Sequence, residues 1–297
     1  MSRGDRFSSR VRTVQEAPEP FRGVLLGHLS VQESARLLVY GPPDHNLSTI
    51  SPGTLLAVTE RGWVTVYEHE DGTTAVAEAS FRDTLLVQLT LILLYGQLRL
   101  DYWAGGAVRS AMVRFNTVMA GLYEEAAFLV LDGIDSVSHV SEGDLEQAVA
   151  LVAGWPLKFL NAALRSLPRG QQLLEATHWL AVHGRFGREL APAAALLLTD
   201  SAVVLVSEEK AQWWMRSRNR TKYGDITTYL PLRRLAGFSV SQQERFHMLR
   251  LHVGATRGQE TLEVLFPPET WPAASQLMDR AMQRVRQTHI HCAGSRS

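Results

Sequence analysis

An internal repeat limits the fold of this chain more than any other feature of its sequence. Residues 53–67 read GTLLAVTERGWVTVY, and residues 193–206, which begin 140 positions later, read AAALLLTDSAVVLV. Each segment has an apolar stretch, a Thr-acid pair (Thr59-Glu60 and Thr199-Asp200) and a second apolar stretch. A repeat of this length predicts that the two halves of the chain fold alike.

The repeat continues with a larger offset towards the end of each half. At an offset of 151, Phe81 aligns with Leu232, and the triplet that begins at Leu98 aligns with the triplet that begins at Leu249. Seven of 35 positions match without a gap in this stretch, where about two are expected at ordinary composition. Upstream, residues 37–41 (LLVYG) align with residues 180–184 (LAVHG).

The apolar residues of each half follow the period of a strand and then that of a helix. Leu98 and Leu100 alternate with Arg99 and Asp101, which predicts antiparallel strands with one face on a core. After Phe115, and again after the matching Phe266, the apolar spacing changes to three or four residues. Each half is therefore predicted to consist of short strands closed by one helix.

This order of elements resembles the pleckstrin-homology superfold, in particular the bacterial pleckstrin-homology-like and GRAM-like domains. The resemblance is carried by residues 196–205 (LLLTDSAVVL), 226–232 (ITTYLPL) and 235–240 (LAGFSV). It implies an α+β fold of two pleckstrin-homology-like antiparallel β-barrel or β-sandwich units, each with a C-terminal helix, joined by a helical linker. It also implies binding of lipid headgroups, peptides or proteins rather than catalysis.

The predicted organisation has five parts: disordered residues 1–20, a first domain at 21–135, a helical linker at 136–168, a second domain at 169–287 and a disordered tail at 288–297. Residues 141–167 are predicted to be a helix that breaks at Pro156, and residues 171–182 a further helix.

The apolar run at residues 85–95 is predicted to be a strand that is buried on both faces. It indicates that the two units pack together or that the chain self-associates there.

The candidate site is an insertion in the second half, where the offset of the repeat grows from 140 to 151. Residues 210–222 read KAQWWMRSRNRTK, with five basic residues and no acid. Arginine forks suit phosphate, and tryptophan suits the headgroup level of a membrane. The spacing is similar to that of the first hairpin in pleckstrin-homology domains that bind phosphoinositides. The candidate ligand-binding residues are Lys210, Trp213, Trp214, Arg216, Arg218, Arg220 and Lys222.

A purely structural interpretation of the same segment stays open. Arg216, Arg218 and Arg220 alternate as the exposed face of a solvated hairpin does, and Trp214 would then cover the barrel.

Composition limits the partners and the compartment. Lys+Arg and Asp+Glu are both 30, so the overall charge does not favour nucleic acid, and a nucleic-acid partner is not expected. A protein partner or self-association is expected, with an anionic membrane surface as a further partner. Cys292 is the one cysteine, which excludes an intrachain disulfide and favours the cytoplasm, with a peripheral membrane location if the basic segment binds lipid. No signal peptide is predicted.

The sequence contains no motif for a reaction. It lacks a Walker loop, GxSxG and HExxH, and the cluster His289, His291 and Cys292 lacks a fourth zinc ligand. A non-enzymatic binding or adaptor protein without cofactor or metal is therefore predicted. Two alternatives stay open: a protein–protein interaction or oligomerisation module without a small ligand, and an enzyme of unknown class, which a deep pocket of titratable side chains would favour.

Overall fold

The computed structural model describes residues 7–29, 34–43, 51–135, 145–168, 170–184, 188–209, 224–255 and 258–294, apart from the side chains of 255, 258, 259 and 288–294. The chain divides into two compact units, Met1–Ser136 and Val137–Ser297. Both units combine antiparallel sheets with helices, which confirms the predicted α+β class. The described strands form open sheets and no closed barrel.

Unit 1 has two groups of strands and two helices. Its elements are β1 Ser9–Val11, α1 Phe21–His28, β2 Ala35–Gly41, β3 Gly53–Thr59, β4 Gly62–Glu68, β5 Thr74–Ser80, β6 Thr84–Ile92, β7 Tyr95–Ala104, β8 Ala107–Asn116 and α2 Ala120–Asp135. Strands β1 to β5 form one sheet in chain order. β6 pairs with β7, and β7 with β8.

The first sheet of unit 1 is covered on both faces, which is why every residue of β3 is buried. On one face, Phe21 and Leu25 of α1 pack into a cluster with Leu55 and Ala57 of β3. The closing helix α2 contacts β3, β4 and β6, and its Tyr123 is fully buried. The short segment before the sheet is thus as much a part of the core as the closing helix.

Unit 2 follows a similar order, with two added short strands, Val182–His183 and Glu189–Ala191, that pair with each other. Its elements are α3 Leu145–Leu151, α4 Leu157–Arg165, β9 Leu173–Trp179, β10 Val182–His183, β11 Glu189–Ala191, β12 Ala194–Thr199, β13 Ala202–Glu208, β14 Gly224–Pro231, β15 Leu235–Gln242, β16 His247–Ala255, β17 Gly258–Phe266 and α5 Trp271–Gly294. β9, β12, β13 and β14 pair successively, and β15, β16 and β17 do so too. α5 contacts β9, β12 and β15.

The two units match in detail as well as in order. β13 lies 140 positions after β4, and α5 begins 151 positions after α2, so the structure has the offsets of the sequence repeat. An irregularity also recurs: the register shifts between Thr84 and Leu86 in β6, and between Leu235 and Gly237 in β15. A bulge kept at corresponding positions indicates one backbone plan used twice.

The Thr-acid pair of each unit forms the turn before β4 or β13. The buried Thr59 hydroxyl accepts hydrogen bonds from the backbone N–H of Arg61 at 3.2 Å and of Gly62 at 3.1 Å. The Thr199 hydroxyl accepts from Ser201 at 3.3 Å and Ala202 at 2.9 Å. The threonine therefore closes the turn and has a structural role.

Several predicted boundaries are wrong. Residues 171–182 are not a helix but contain β9, because Leu173–Trp179 pairs with β12. The LAVHG segment is therefore not the counterpart of β2, since β9 takes that place. Residues 1–20 are not wholly disordered, because β1 pairs with β2. The helix α5 continues through residues 288–294 of the predicted disordered tail.

The predicted linker helix breaks at Pro156, as expected, because this proline caps the start of α4. α3 and α4 do not form a separate linker, however. α3 contacts β9, and α4 contacts β12 and β13, so both helices belong to unit 2.

Candidate functional site

The basic segment predicted to bind anions, from Lys210 to Lys222, lies outside the residues that the structure describes. Its attachment points are described. β13 ends at Glu208 and β14 begins at Gly224, and Glu208 lies opposite Asp225 in the pairing of these strands. The segment therefore joins the third and fourth strands of the sheet β9-β12-β13-β14, so its comparison with a first hairpin is wrong in position.

Two acidic side chains mark the strand ends from which this segment leaves. The Lys158 Nζ lies 2.9 Å from the Glu208 Oε1, and the Arg165 Nη2 lies 2.8 Å from the Asp225 Oδ1. Both cations come from α4, and Asp225 is buried, with 7% of its surface exposed. α4 thus compensates the two carboxylates at the base of the segment.

A shallow depression of about 640 Å³ lies on unit 2 between α5 and β9. Its walls include Glu175 of β9 and, from α5, Trp271, Ser275, Gln276, Asp279 and Arg280. The Arg280 Nη1 donates to the Glu175 Oε1 at 2.9 Å and to the Leu174 carbonyl at 3.3 Å. The depression is open, and its lining combines charged and amide side chains with the apolar surface of Trp271 and Pro272, so it suits an extended surface ligand better than an enclosed small molecule. Sequence reasoning missed it, because residues 171–182 were assigned to a helix.

His178 lies on β9 against the rings of Trp155 and Phe159, with centroids 4.7 Å and 6.4 Å away. Its burial lowers the pKa of the imidazole. Within the described part of the chain, no group of three or more His, Cys, Asp or Glu side chains is placed to hold a metal ion. The side chains of His289, His291 and Cys292 lie outside that part.

Two tyrosines carry strongly shifted hydroxyls. Burial raises the pKa of Tyr67 and of Tyr123 to about 12 in each case. The Tyr67 hydroxyl accepts a hydrogen bond from the Met112 N–H at 3.1 Å, and the Tyr123 hydroxyl donates to the Ser8 Oγ at 2.9 Å. Both stay protonated at neutral pH, so they join elements and do not act as bases.

The predicted apolar strand at residues 85–95 is buried along β6, but its end is exposed. Leu93 and Leu94, in the turn after β6, are 65% and 61% exposed, and Val118 is 65% exposed. Val118 follows Thr117, whose backbone N–H donates to the Leu94 carbonyl at 3.2 Å. Leu93 has a φ of 54°, and the Thr117 hydroxyl donates to its carbonyl at 2.5 Å. These three side chains form what we call the apolar turn of unit 1, a surface of the kind that contacts other molecules.

Comparison of the sequence with protein-family models and with curated proteins finds no match. None of the helices in the described ranges is long and apolar enough to span a bilayer.

Proposed function

We propose that this chain is a non-enzymatic binding or adaptor protein of two pleckstrin-homology-like units, whose second unit binds anionic lipid headgroups or phosphate through residues 210–222. The observation that carries the proposal is an element order found in both units: four successively paired strands (β2 to β5 in unit 1, and β9 with β12 to β14 in unit 2), three further paired strands and a closing helix. This order is the one that the resemblance to the pleckstrin-homology superfold leads us to expect, and it supports the proposal. A cytoplasmic protein that reaches the membrane surface fits this function.

The interior of each unit supports a role in binding. Its buried residues are mostly apolar, with Trp63, Leu55 and Leu56 among the largest in unit 1 and Tyr229, Phe266 and Leu173 in unit 2. Side chains of this kind fill the space between sheets and helix, so contact with other molecules falls to surface segments.

The location of the basic segment supports an electrostatic function. A segment that joins two adjacent antiparallel strands can carry many cations without changing the pairing of Glu208 with Asp225. Each Lys or Arg near an anionic surface contributes about 1 kcal/mol, and five of them fall within residues 210–222. Because the whole chain is formally neutral, this attraction must be local.

Vesicle binding tests the proposal. Replacing Arg216, Arg218 and Arg220 with alanine is expected to weaken binding to phosphatidylserine vesicles by about 3 kcal/mol, or roughly a hundredfold, with an unchanged melting temperature. The matched control replaces the exposed Arg82, Arg109 and Arg245 with alanine, which removes the same charge elsewhere. Equal losses in both variants, or no binding by the wild type at low salt, would contradict the proposal.

A second candidate function, a protein–protein interaction module without a small ligand, is favoured by the apolar turn of unit 1. Replacing Leu93 and Leu94 with serine is the corresponding test, read as loss of self-association in light scattering. A wild-type monomer at high concentration would count against oligomerisation.

A further inference from the structure

Strand β1 adds an outer strand to the first sheet of unit 1. Ser9, Arg10 and Val11 pair antiparallel with Tyr40, Val39 and Leu38 of β2. The closing helix holds this strand, because Arg10 forms an ion pair with Glu125 of α2 and the Ser8 Oγ accepts the Tyr123 hydrogen bond.

β9 of unit 2 is the counterpart of β2. Each pairs antiparallel with the strand that ends in the Thr of the Thr-acid pair. Each also has a register shift next to that threonine, where one residue of the strand is skipped in the pairing. In β2 the skipped residue lies between Ala35 and Leu37, and in β9 it lies between Leu173 and Glu175. Aligned on this shared irregularity, the three β2 residues that pair with β1 correspond to Ala176, Thr177 and His178.

The outer edge of β9 carries no strand in the described part of unit 2, where β12 is its paired neighbour. The burial of the two strands differs accordingly. Leu37, Leu38 and Val39 of β2 are buried, whereas residues 175–178 of β9 are half-buried. Helices α3 and α5 both contact β9, so the strand is flanked but its 175–178 stretch stays accessible.

The depression of unit 2 lies where α2 holds β1 in unit 1. At the offset of 151, Glu125 corresponds to Gln276, which lines the depression together with Glu175 of β9. Asp279, exposed on the same wall, stands about one helical turn further on. Ala274 takes the place of Tyr123, so α5 offers the acid Asp279, the cation Arg280, which is paired with Glu175, and amides, but no aromatic hydroxyl.

We propose that the β9 edge and the adjoining depression bind an extended segment of a partner protein, which adds an antiparallel strand to the sheet in the place that β1 takes in unit 1. Main-chain hydrogen bonds to β9 supply the affinity, and alternate side chains supply the selection. The segment carries a basic residue at the position of Arg10, because Asp279 is the acid that this side chain meets. This inference depends on the proposed role as a binding protein but not on residues 210–222.

The test uses the full chain and a labelled peptide, FSSRVR, which copies residues 7–12. The expected result is binding in a titration, with amide shifts in β9 rather than β2. A peptide N-methylated at alternate residues, which loses main-chain donors but keeps its side chains, is expected to bind about tenfold more weakly or worse. Asp279→Asn is expected to weaken binding about threefold, while Glu244→Gln, an exposed acid elsewhere, leaves it unchanged.

Four outcomes overturn the inference: no binding, amide shifts confined to β2, equal affinity of the N-methylated peptide, or a dimer that disappears when residues 1–12 are deleted, which would make a second copy the occupant. Vesicle binding by the same wild-type protein separates the two proposals. Retained vesicle binding with failed peptide binding overturns this inference alone, and the reverse result overturns only the anion site.

Discussion

Thr59 and Thr199 explain why the same dipeptide stands in both halves of the sequence. Each hydroxyl is buried, and each accepts two backbone N–H groups of the following turn. The Thr-acid pair is therefore a turn motif, and it occurs twice because both units contain the same turn.

Thr59→Val and Thr199→Val are expected to lower the free energy of unfolding by about 2 kcal/mol each, since two buried N–H groups lose their acceptor. Urea denaturation measures the change. Thr59→Ser and Thr199→Ser keep the hydroxyl and are the matched controls, with expected losses of less than about 1 kcal/mol. Valine variants as stable as the serine variants would show that water replaces the hydroxyl without cost.

Gly62 is required for a different reason, which is the close approach of two backbones. A Cβ at this position would lie 2.1 Å from the Ala79 carbonyl oxygen. Gly62→Ala is expected to cost about 3 kcal/mol, because the added Cβ meets backbone atoms of β5 and not a flexible side chain. The control is Gly121→Ala on α2, where a Cβ meets nothing within 4 Å and alanine is expected to stabilise by about 0.5–1 kcal/mol. Equal effects of the two substitutions in urea denaturation would contradict this account.

The closing helices α2 and α5 could be predicted from the sequence, whereas the strands β1 and β9 could not. α2 and α5 follow a change from strand to helix spacing of the apolar residues that the sequence alone displays. β9 was assigned to a helix because the apolar residues of QLLEATHWLAV also fit a helical stripe, and pairing with β12 decided between the two. β1 has three residues, too few for a period, so its partner β2 defines it.

His178 links the helical segment of unit 2 to its sheet and gives stability a pH dependence. Burial lowers the pKa of His178 from its ordinary value of 6.5, so the unfolded chain binds the proton more tightly. The contribution is fully present above 6.5 and is lost as the pH falls through the lower folded value. Wild type is therefore expected to lose more stability than His178→Phe between about pH 7.5 and about pH 5. Parallel losses in urea denaturation would contradict the assignment.

The two units share one plan that the apparent linker conceals. In each, a short segment ahead of the sheet covers its outer face: the stretch through α1 in unit 1, and α3 with α4 in unit 2. The first twenty residues and the linker are therefore equivalent parts of two copies, and the domain boundary lies near residue 136 rather than residue 169. In unit 1 the corresponding connection, between β4 and β5, is a short turn that contains Glu70 and Asp71, so the repeat gives no information about the role of the basic segment.

This boundary predicts which fragment of unit 2 folds. Ala148, Val152, Phe159 and Ala163 of the helical segment are buried, and removing the segment exposes the face of the sheet that they cover. Burial of a side chain such as Phe or Val contributes about 1.5–3 kcal/mol, so the loss approaches the whole stability of a typical domain of about 5–15 kcal/mol. Residues 137–297 are expected to give a cooperative thermal transition. Residues 169–297 are expected to bind a hydrophobic dye and to show no cooperative transition on heating. A cooperative transition in the shorter fragment would show that the sheet folds without α3 and α4, and these helices would then be a linker.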